Sequence, residues 1–455
     1  MNIHVTGVEC MNNEKLIFCG NNADFLDSQR IKESNSSNSG TAFRIPSLIK
    51  SGDTLIAAID RQSCGADWGF IEIAIRRSED GGETWSDIET IATPPARDIV
   101  ASDDCYKSAF FIDPLMAIAP NGDVVMIIDF YPECKGLHDR RLLDKGKLPY
   151  TMVNGKMRPA LYDRDGKFYV VCEDGSVLDS HLQPTDYTQP DWFGSLYKND
   201  EYVGNIFLNG SKPISKDKRT TFGAPLKAPK RNYIYMLRSS DNGKTWSKPV
   251  DITQDFLIKS DGTFVGTAPG VGLTTQNGKI LMPLYVDRKE TVMIYSIDDG
   301  CTWRRMTNQP YCRNVDEWQM VQAPDGVIIG IGRQKKYGKS PMSISYDNGI
   351  HWSKAKKTGI YAPKCQKSII SIGDYVFCSH ASGRTRQDGV ISVGKFTRSA
   401  GKTSGIYWYK DTEINNGFFA YSCLTQIDDE HIGVLYEAAP SSYICFKKYK
   451  ISDLI

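Results

Sequence analysis

The sequence predicts an all-β protein built as a ring of short-stranded repeats, a β-propeller, and three observations carry that expectation. The string Ser-x-Asp-x-Gly-x-Thr-Trp recurs four times, as SEDGGETW at 78–85, SSDNGKTW at 239–246, SIDDGCTW at 296–303 and SYDNGIHW at 345–352. Each copy follows a strand-like alternation such as IEIAIRRS or YIYMLRS. Where the string is missing, runs such as GDVVMIIDFY, GVIIGIGRQ, SIISIGDYVFCSH and HIGVLYEA continue the strand pattern, and no comparable segment keeps a helical period.

Each string supplies a turn. Its Asp bonds its own downstream backbone, its Gly takes a positive φ, and its Trp re-enters the core. Recurrence on hairpin tips marks these aspartates as turn formers rather than catalysts. The fourth copy carries His351 in place of Thr, a change at a polar loop position that should cost little. First-residue spacings are 345 − 296 = 49, 296 − 239 = 57 and 239 − 78 = 161. Repeats of about 40–50 residues fit propeller blades, and the long gap is expected to hold roughly two more units plus an insertion. The turn-rich interval from about 165 to 230 reads as a small β-rich insertion between blades. Residues 1–40 end in ESNSSNSG and read as a partly ordered leader that lends a strand to close the ring, with 41–455 forming the propeller.

Composition narrows the function. The 455 residues carry 55 Lys plus Arg against 54 Asp plus Glu, a net charge of +1, which excludes recognition of a nucleic acid or another polyanion by bulk charge. No apolar run is long enough for a membrane span, and the amino terminus shows no signal-peptide pattern. Twelve cysteines lie singly, without CxxC pairs or metal-like spacing, and read as mostly reduced, buried thiols. Six histidines make zinc or Ser-His-Asp chemistry improbable.

Upstream of the first string lies TAFRIPSLI, which sets Arg44 among apolar neighbours, where a charge needs a partner or an anionic ligand. Phe-Arg-Ile-Pro followed by four such strings, or Asp boxes, resembles the sialidase (neuraminidase) family, in particular its bacterial and protozoan exo-sialidases with six-bladed propellers. The resemblance covers the chain from about 40 to 450. It implies three arginines that hold a substrate carboxylate, a task suited to a planar, bidentate guanidinium. Arg44 matches the first and Arg333, in GVIIGIGRQ, the second. Arg386, before Gln387-Asp388-Gly389, matches the third, with Arg384 as its competitor.

The resemblance assigns chemistry to three further residues. Tyr421, in GFFAYSCLTQ, matches the nucleophile, and Glu317, in VDEWQMVQ, the base that takes its proton. A neutral tyrosine suits sialosides because the carboxylate on their anomeric carbon repels an Asp or Glu nucleophile. Asp67, before Trp68-Gly69, matches the acid/base and is expected on a partly enclosed loop with a raised pKa. Asp60 is its competitor, read as closing a turn after TLIAAID. Arg61 matches a further substrate-contacting arginine, and Glu437, in VLYE, the carboxylate that orients Arg44. FVGTAPGVGLTT at 264–275 also resembles family sequence and reads as a loop lining the pocket.

The expected activity is a retaining exo-α-sialidase, a monomer acting on sialylated glycans without cofactor, metal, nucleic acid or membrane span. The rivals are an intramolecular trans-sialidase that releases an anhydro sugar and a non-catalytic glycan-binding propeller. Localisation stays open: the substrates suggest secretion or the cell surface, while no signal peptide is visible.

Overall fold

The computed structural model describes residues 14–19, 42–63, 65–96, 108–191, 193–210, 222–286, 290–308, 315–440 and 443–455. Six sheets form the blades, antiparallel throughout except where Gly270–Val271 runs parallel to the inner strand of the second. The first comprises Ala42–Ser51, Thr54–Gln62, Ile71–Ser78 and Glu89–Ala92. The second comprises Phe110–Ile118, Val124–Tyr131, Tyr233–Ser239 and Val250–Asp251. The third comprises Val265–Thr267, Ile280–Val286, Glu290–Ser296 and Arg304–Arg305. Val315–Gln322, Ile328–Gln334, Gly338–Ser345 and Lys356–Ala362 form the fourth. Ser368–Ile372, Tyr375–Ala381, Gln387–Ser399 and Lys402–Phe418 form the fifth. The sixth takes Ser422–Gln426, His431–Glu437 and Tyr443–Lys450, and its outermost strand is Glu14–Cys19.

The first strand of each blade is innermost and contacts the first strand of the next from blade four through five, six, one and two to three, and the circle is completed where Val315–Gln322 meets Ile280–Val286 and Glu290–Ser296 of blade three. Closure by Glu14–Cys19 pairs the two ends of the described chain, Glu14 lying opposite Lys447 and Cys19 opposite Tyr443. Phe18 is fully buried there and packs on Phe43 of the first blade, with ring centroids 5.3 Å apart. Below the central face the channel is filled by a polar network. Gln319 and Gln366 both donate to the Pro269 carbonyl, at 3.2 and 3.3 Å, and Ser47 donates to the Gly270 carbonyl at 2.6 Å.

Two sequence expectations change. The 161-residue gap between the first two boxes holds no extra blade, because Tyr233–Ser239 pairs with Val124–Tyr131 and the second box belongs to the second blade. The insertion therefore lies inside that blade rather than between blades. It is a seven-stranded antiparallel meander running from Tyr150–Val153 to Glu201–Asn205, so it begins earlier than residue 165. Its apolar face shares one core with the blade: Leu161, Val171, Val177, Leu196 and Phe207 pack with Phe130 and Tyr235. Local sequence cannot show this join, since the strands that make it are about a hundred residues apart.

The boxes connect the third and fourth strands of blades one to four, and strand register places them away from the central face. In blade one Arg44 pairs with Asp60 at one end of the sheet, while Ser78, which opens the box, pairs with Leu55 at the other. Within each box the Asp carboxylate accepts from the Ser hydroxyl and from the backbone N–H four residues on. The Thr hydroxyl completes the set, as from Thr245 to Asp241 at 2.6 Å, and in the fourth box the His351 imidazole takes its place at 2.6 Å from Asp347. Boxes also staple neighbouring blades. Ser51 of blade one donates to Asn242 in the second box, Asn121 of blade two to Asp299 in the third, and Lys279 of blade three to the Asn348 carbonyl in the fourth.

Burial raises Asp298, but the bonds from Thr302 and Ser296 together outweigh it, and for Asp241 the bonds from Thr245 lead, so both carboxylates are held down to about 2. A depressed folded-state pKa contributes stability that is complete above the unfolded value near 4 and is lost as pH falls toward 2. An Asp241→Asn, Asp298→Asn double variant should therefore melt below the wild type above pH 4, with the gap closing toward pH 2. A gap independent of pH in thermal melts would contradict this.

Candidate active site

Three inner strands break their ladders at the same height, where the central face opens. The register shifts between Arg44 and Ser47, between Ile112 and Leu115, and between Asp316 and Gln319. At each bulge one residue has a left-handed backbone: Ile45 with φ 59°, Asp113 with φ 65° and Glu317 with φ 49°. For a β-branched residue such as Ile45 this conformation costs roughly 1–3 kcal/mol and persists only when its surroundings hold it. The Ile45 N–H donates to Glu437 Oε1 at 2.9 Å, which supplies part of that hold. Bulges turn side chains out of the regular alternation, and here they accompany the arrival of Arg44, Asp113 and Glu317 in one cavity of about 250 Å³.

Tyr421 stands at the centre, just before the inner strand of blade six and 6% exposed. Its hydroxyl donates to Glu317 Oε1 at 2.7 Å and accepts from Arg333 Nη1 at 2.7 Å, and Arg333 also binds Glu317 Oε1 at 2.5 Å. Three guanidiniums surround the phenol ring, those of Arg44, Arg333 and Arg386 lying 5.5, 5.9 and 5.3 Å from its centroid. Burial pushes the Tyr421 phenol well above its usual range, opposed by Arg333. Burial also raises Glu317, but the charge and hydrogen bond of Arg333 outweigh it and hold the carboxyl below its ordinary value. The proton therefore rests on the phenol, 2.7 Å from an ionised acceptor. Glu317 Oε2 is buried and makes no hydrogen bond among the described residues.

Arg44 and Arg333 carry their own counter-charges. Arg44 Nη1 binds Asp67 at 2.5 Å and its Nε lies 3.5 Å from Glu437, a carboxylate only 1% exposed. Arg333 Nε lies 3.7 Å from Asp316. Arg386 lines the same cavity and, among the described residues, has no carboxylate within ion-pairing distance. Its loop is shaped by Asp388 with φ 58° and by Gly389, where a Cβ would fall 2.0 Å from the Phe419 ring. Arg384 is exposed and does not line the cavity.

Other placements differ from the sequence reading. Asp60 closes no turn: it lies within the strand Thr54–Gln62, fully buried, and accepts from the Asp113 N–H at 3.1 Å. Arg61 does not reach the cavity. Strand alternation puts it on the opposite face from Asp60, where it donates to Thr90 at 3.0 Å and lies 3.9 Å from Glu72. Asp67 does sit on a loop lining the cavity, its side chain 35% exposed, but its pKa is lowered rather than raised. Burial pushes it up, and the charge and hydrogen bond of Arg44 more than reverse that. Phe264 lines the cavity, at the start of FVGTAPGVGLTT.

Sequence reasoning missed the acidic wall. Asp113 and Asp129 line the cavity, both pushed well above the usual carboxylate range by burial and then by neighbouring carboxylates. The signal was present, since FIDPL at 111–115, like FRIPSL at 43–48, sets one charged residue and a Pro among apolar residues. His138 and Leu137 complete that wall from a short 3-10 helix, Gly136–Leu142, which no periodicity announces. A larger groove of about 750 Å³ lies at the outer edge of blade six, and charges along it are paired, as Lys15 and Lys448 are with Glu83.

The arrangement defines a six-bladed propeller with an arginine-lined pocket at its axis. A profile of the BNR repeat-like domain matches residues 220–433. Sialidase B of Streptococcus pneumoniae serotype 4 is 26% identical over 448 residues, spanning 90% of this chain and 63% of that protein. The anhydrosialidase of Macrobdella decora is 27% identical over 475 residues, spanning 90% and 61%. The crystal structure of the intramolecular trans-sialidase from Ruminococcus gnavus in complex with oseltamivir carboxylate matches with a TM-score of 0.76 and 25% identity, over 90% of this chain and 95% of that one. Sequence and fold together support the sialidase family for this chain. It spans about three fifths of the length of the Streptococcus and Macrobdella relatives.

Removing one partner of a buried ion pair leaves the other charge uncompensated, at a cost of about 3–5 kcal/mol. Glu437→Ala should therefore destabilise the protein by about 3 kcal/mol in chemical denaturation, and Glu437→Gln, which still accepts from Ile45 N–H, by clearly less. Equal losses would show that the acceptor for Ile45 N–H adds nothing beyond the lost charge opposite Arg44.

Proposed function

We propose that this chain is a retaining exo-α-sialidase that releases terminal sialic acid from glycoconjugates. The observation that carries the reading is the convergence of Arg44, Arg333 and Arg386, from three blades, on the ring of one buried tyrosine. Three fixed guanidiniums suit a carboxylate, and a neutral phenol beside them suits an electrophilic carbon that bears it.

In this mechanism the arginines hold the sugar carboxylate and so place the anomeric carbon over the Tyr421 hydroxyl. As the Tyr421 oxygen bonds to that carbon, its proton passes to Glu317 Oε1 along the existing 2.7 Å hydrogen bond. The glycosidic bond breaks, and Asp67 protonates the departing oxygen. Asp67 must be protonated to do so, while the charge and hydrogen bond of Arg44 lower its pKa. A substrate carboxylate that shares the charge of Arg44 weakens that effect, so binding itself lifts the pKa of Asp67 toward its task. In the second step Asp67 takes a proton from water, the water oxygen bonds to the anomeric carbon, and Tyr421 leaves with the proton returned from Glu317. Two inversions give net retention. Asp113, kept neutral by burial and its neighbours, offers a hydrogen-bond donor to an uncharged polar group of the sugar.

Tyr421→Phe deletes the nucleophilic oxygen and keeps the ring that the arginines surround. It should lower kcat on a sialoside by about 10³-fold or more while a sialic-acid-like inhibitor still binds within a few-fold of the wild type. Release of free sialic acid, followed by product identification, is the measurement. Substantial turnover by the variant would remove Tyr421 from the role.

A further inference from the structure

Asp67 is followed directly by Trp68, and the Trp68 ring meets His138 with centroids 4.1 Å apart at an interplanar angle of 50°. The two residues come from separate elements, the loop after Thr54–Gln62 of blade one and the 3-10 helix Gly136–Leu142 after Val124–Tyr131 of blade two. His138 is exposed and lines the cavity beside Leu137 and Asp67, near enough for its charge to bear on Asp67. Trp68 is half-buried and packs against the same apolar cluster as Ile45, Phe110 and Leu137. An indole in contact with an exposed imidazole at a cavity edge offers both a flat apolar surface and a ring nitrogen for hydrogen bonding.

The side of the pocket on which this pair stands gives it meaning. Resting on the mechanism above, the acid must reach the bridging oxygen, so whatever is attached to that oxygen leaves past Asp67. The arginines lie around Tyr421 and occupy the sugar's carboxylate side. We propose that Trp68 and His138 form the leaving-group subsite, which takes a neutral pyranose ring: Trp68 packs on its C–H face and His138 hydrogen-bonds one of its hydroxyls.

The inserted meander then has a task at the site. The segment that leads to His138 is tied to the end of the insertion, Glu133 N–H donating to the Phe207 carbonyl at 2.9 Å and Asn209 Nδ2 to the Glu133 carbonyl at 2.8 Å. Beyond the helix the Asp144 N–H donates to the Lys230 carbonyl at 2.8 Å. Both flanks of the helix are thus fixed by the chain that enters or leaves the insertion.

The test compares kcat/KM on two α-sialosides, one with a galactosyl and one with a methyl leaving group, for wild type, His138→Ala and Trp68→Leu. Both substrates need protonation of an alkoxide-like oxygen, so their ratio isolates the sugar ring. The ratio of galactosyl to methyl should fall about tenfold in each variant, the weight of one stacking contact or one hydrogen bond to a sugar. A ratio that stays at the wild-type value overturns the subsite, including the case where both rates fall together because the pair merely positions Asp67. Wild-type inactivity on both substrates overturns the sialidase reading as well, and is told apart because no variant is needed to see it.

Discussion

Three positive charges gathered around one phenol would repel one another, and most of the site consists of what compensates them. Near a protein surface two unit charges about 4 Å apart interact by about 4 kcal/mol, and burial enlarges the effect. Arg44 is matched by Glu437 and Asp67, and Arg333 by Glu317 and Asp316. These carboxylates come from blades one, four and six, so the charge cluster also ties distant parts of the ring together. Arg386 completes the positive side of the pocket, and on the opposite side burial and neighbouring carboxylates push Asp113 and Asp129, with Asp60 behind them, well above the usual carboxylate range. The pocket is thus polarised, with three guanidiniums on one side and buried carboxyls on the other.

The propeller makes this arrangement possible by dividing labour between its two ends. Hairpins at one end carry the Asp boxes, which satisfy their own polar groups and staple each blade to the next. At the other end three inner strands bulge, and the pocket is lined by residues at those bulges. Stability and function therefore draw on different residues of the same strands, as Arg44 and Ser51 illustrate at opposite ends of Ala42–Ser51.

Much of this was legible in the sequence, for reasons that differ from residue to residue. The boxes announce blades because a self-contained turn must be written out locally, in Ser, Asp, Gly and Thr at fixed offsets. Arg44, Arg333, Glu317, Tyr421 and Glu437 stand in strand-like motifs whose polar residues have no local use, and all five come together. Arg61 was misjudged because alternation, decided by pairing across the sheet, sends it away from Asp60. The lowered pKa of Asp67 was invisible for the same reason, since it depends on Arg44 across the pocket. His138 and the place of the insertion depend on contacts between segments that share no pattern.

In the proposed mechanism Tyr421 bonds covalently to the sugar. A sialosyl fluoride carrying a second fluorine on the adjacent ring carbon should form the bond and break it slowly, because the electron-withdrawing substituent raises the barrier to water attack. Peptide mapping by mass spectrometry after brief incubation should then find the sugar on the peptide containing Tyr421, and on Tyr421 itself. An adduct on Asp67 or Glu317, or turnover of the fluoride with no adduct on any residue, would contradict the account.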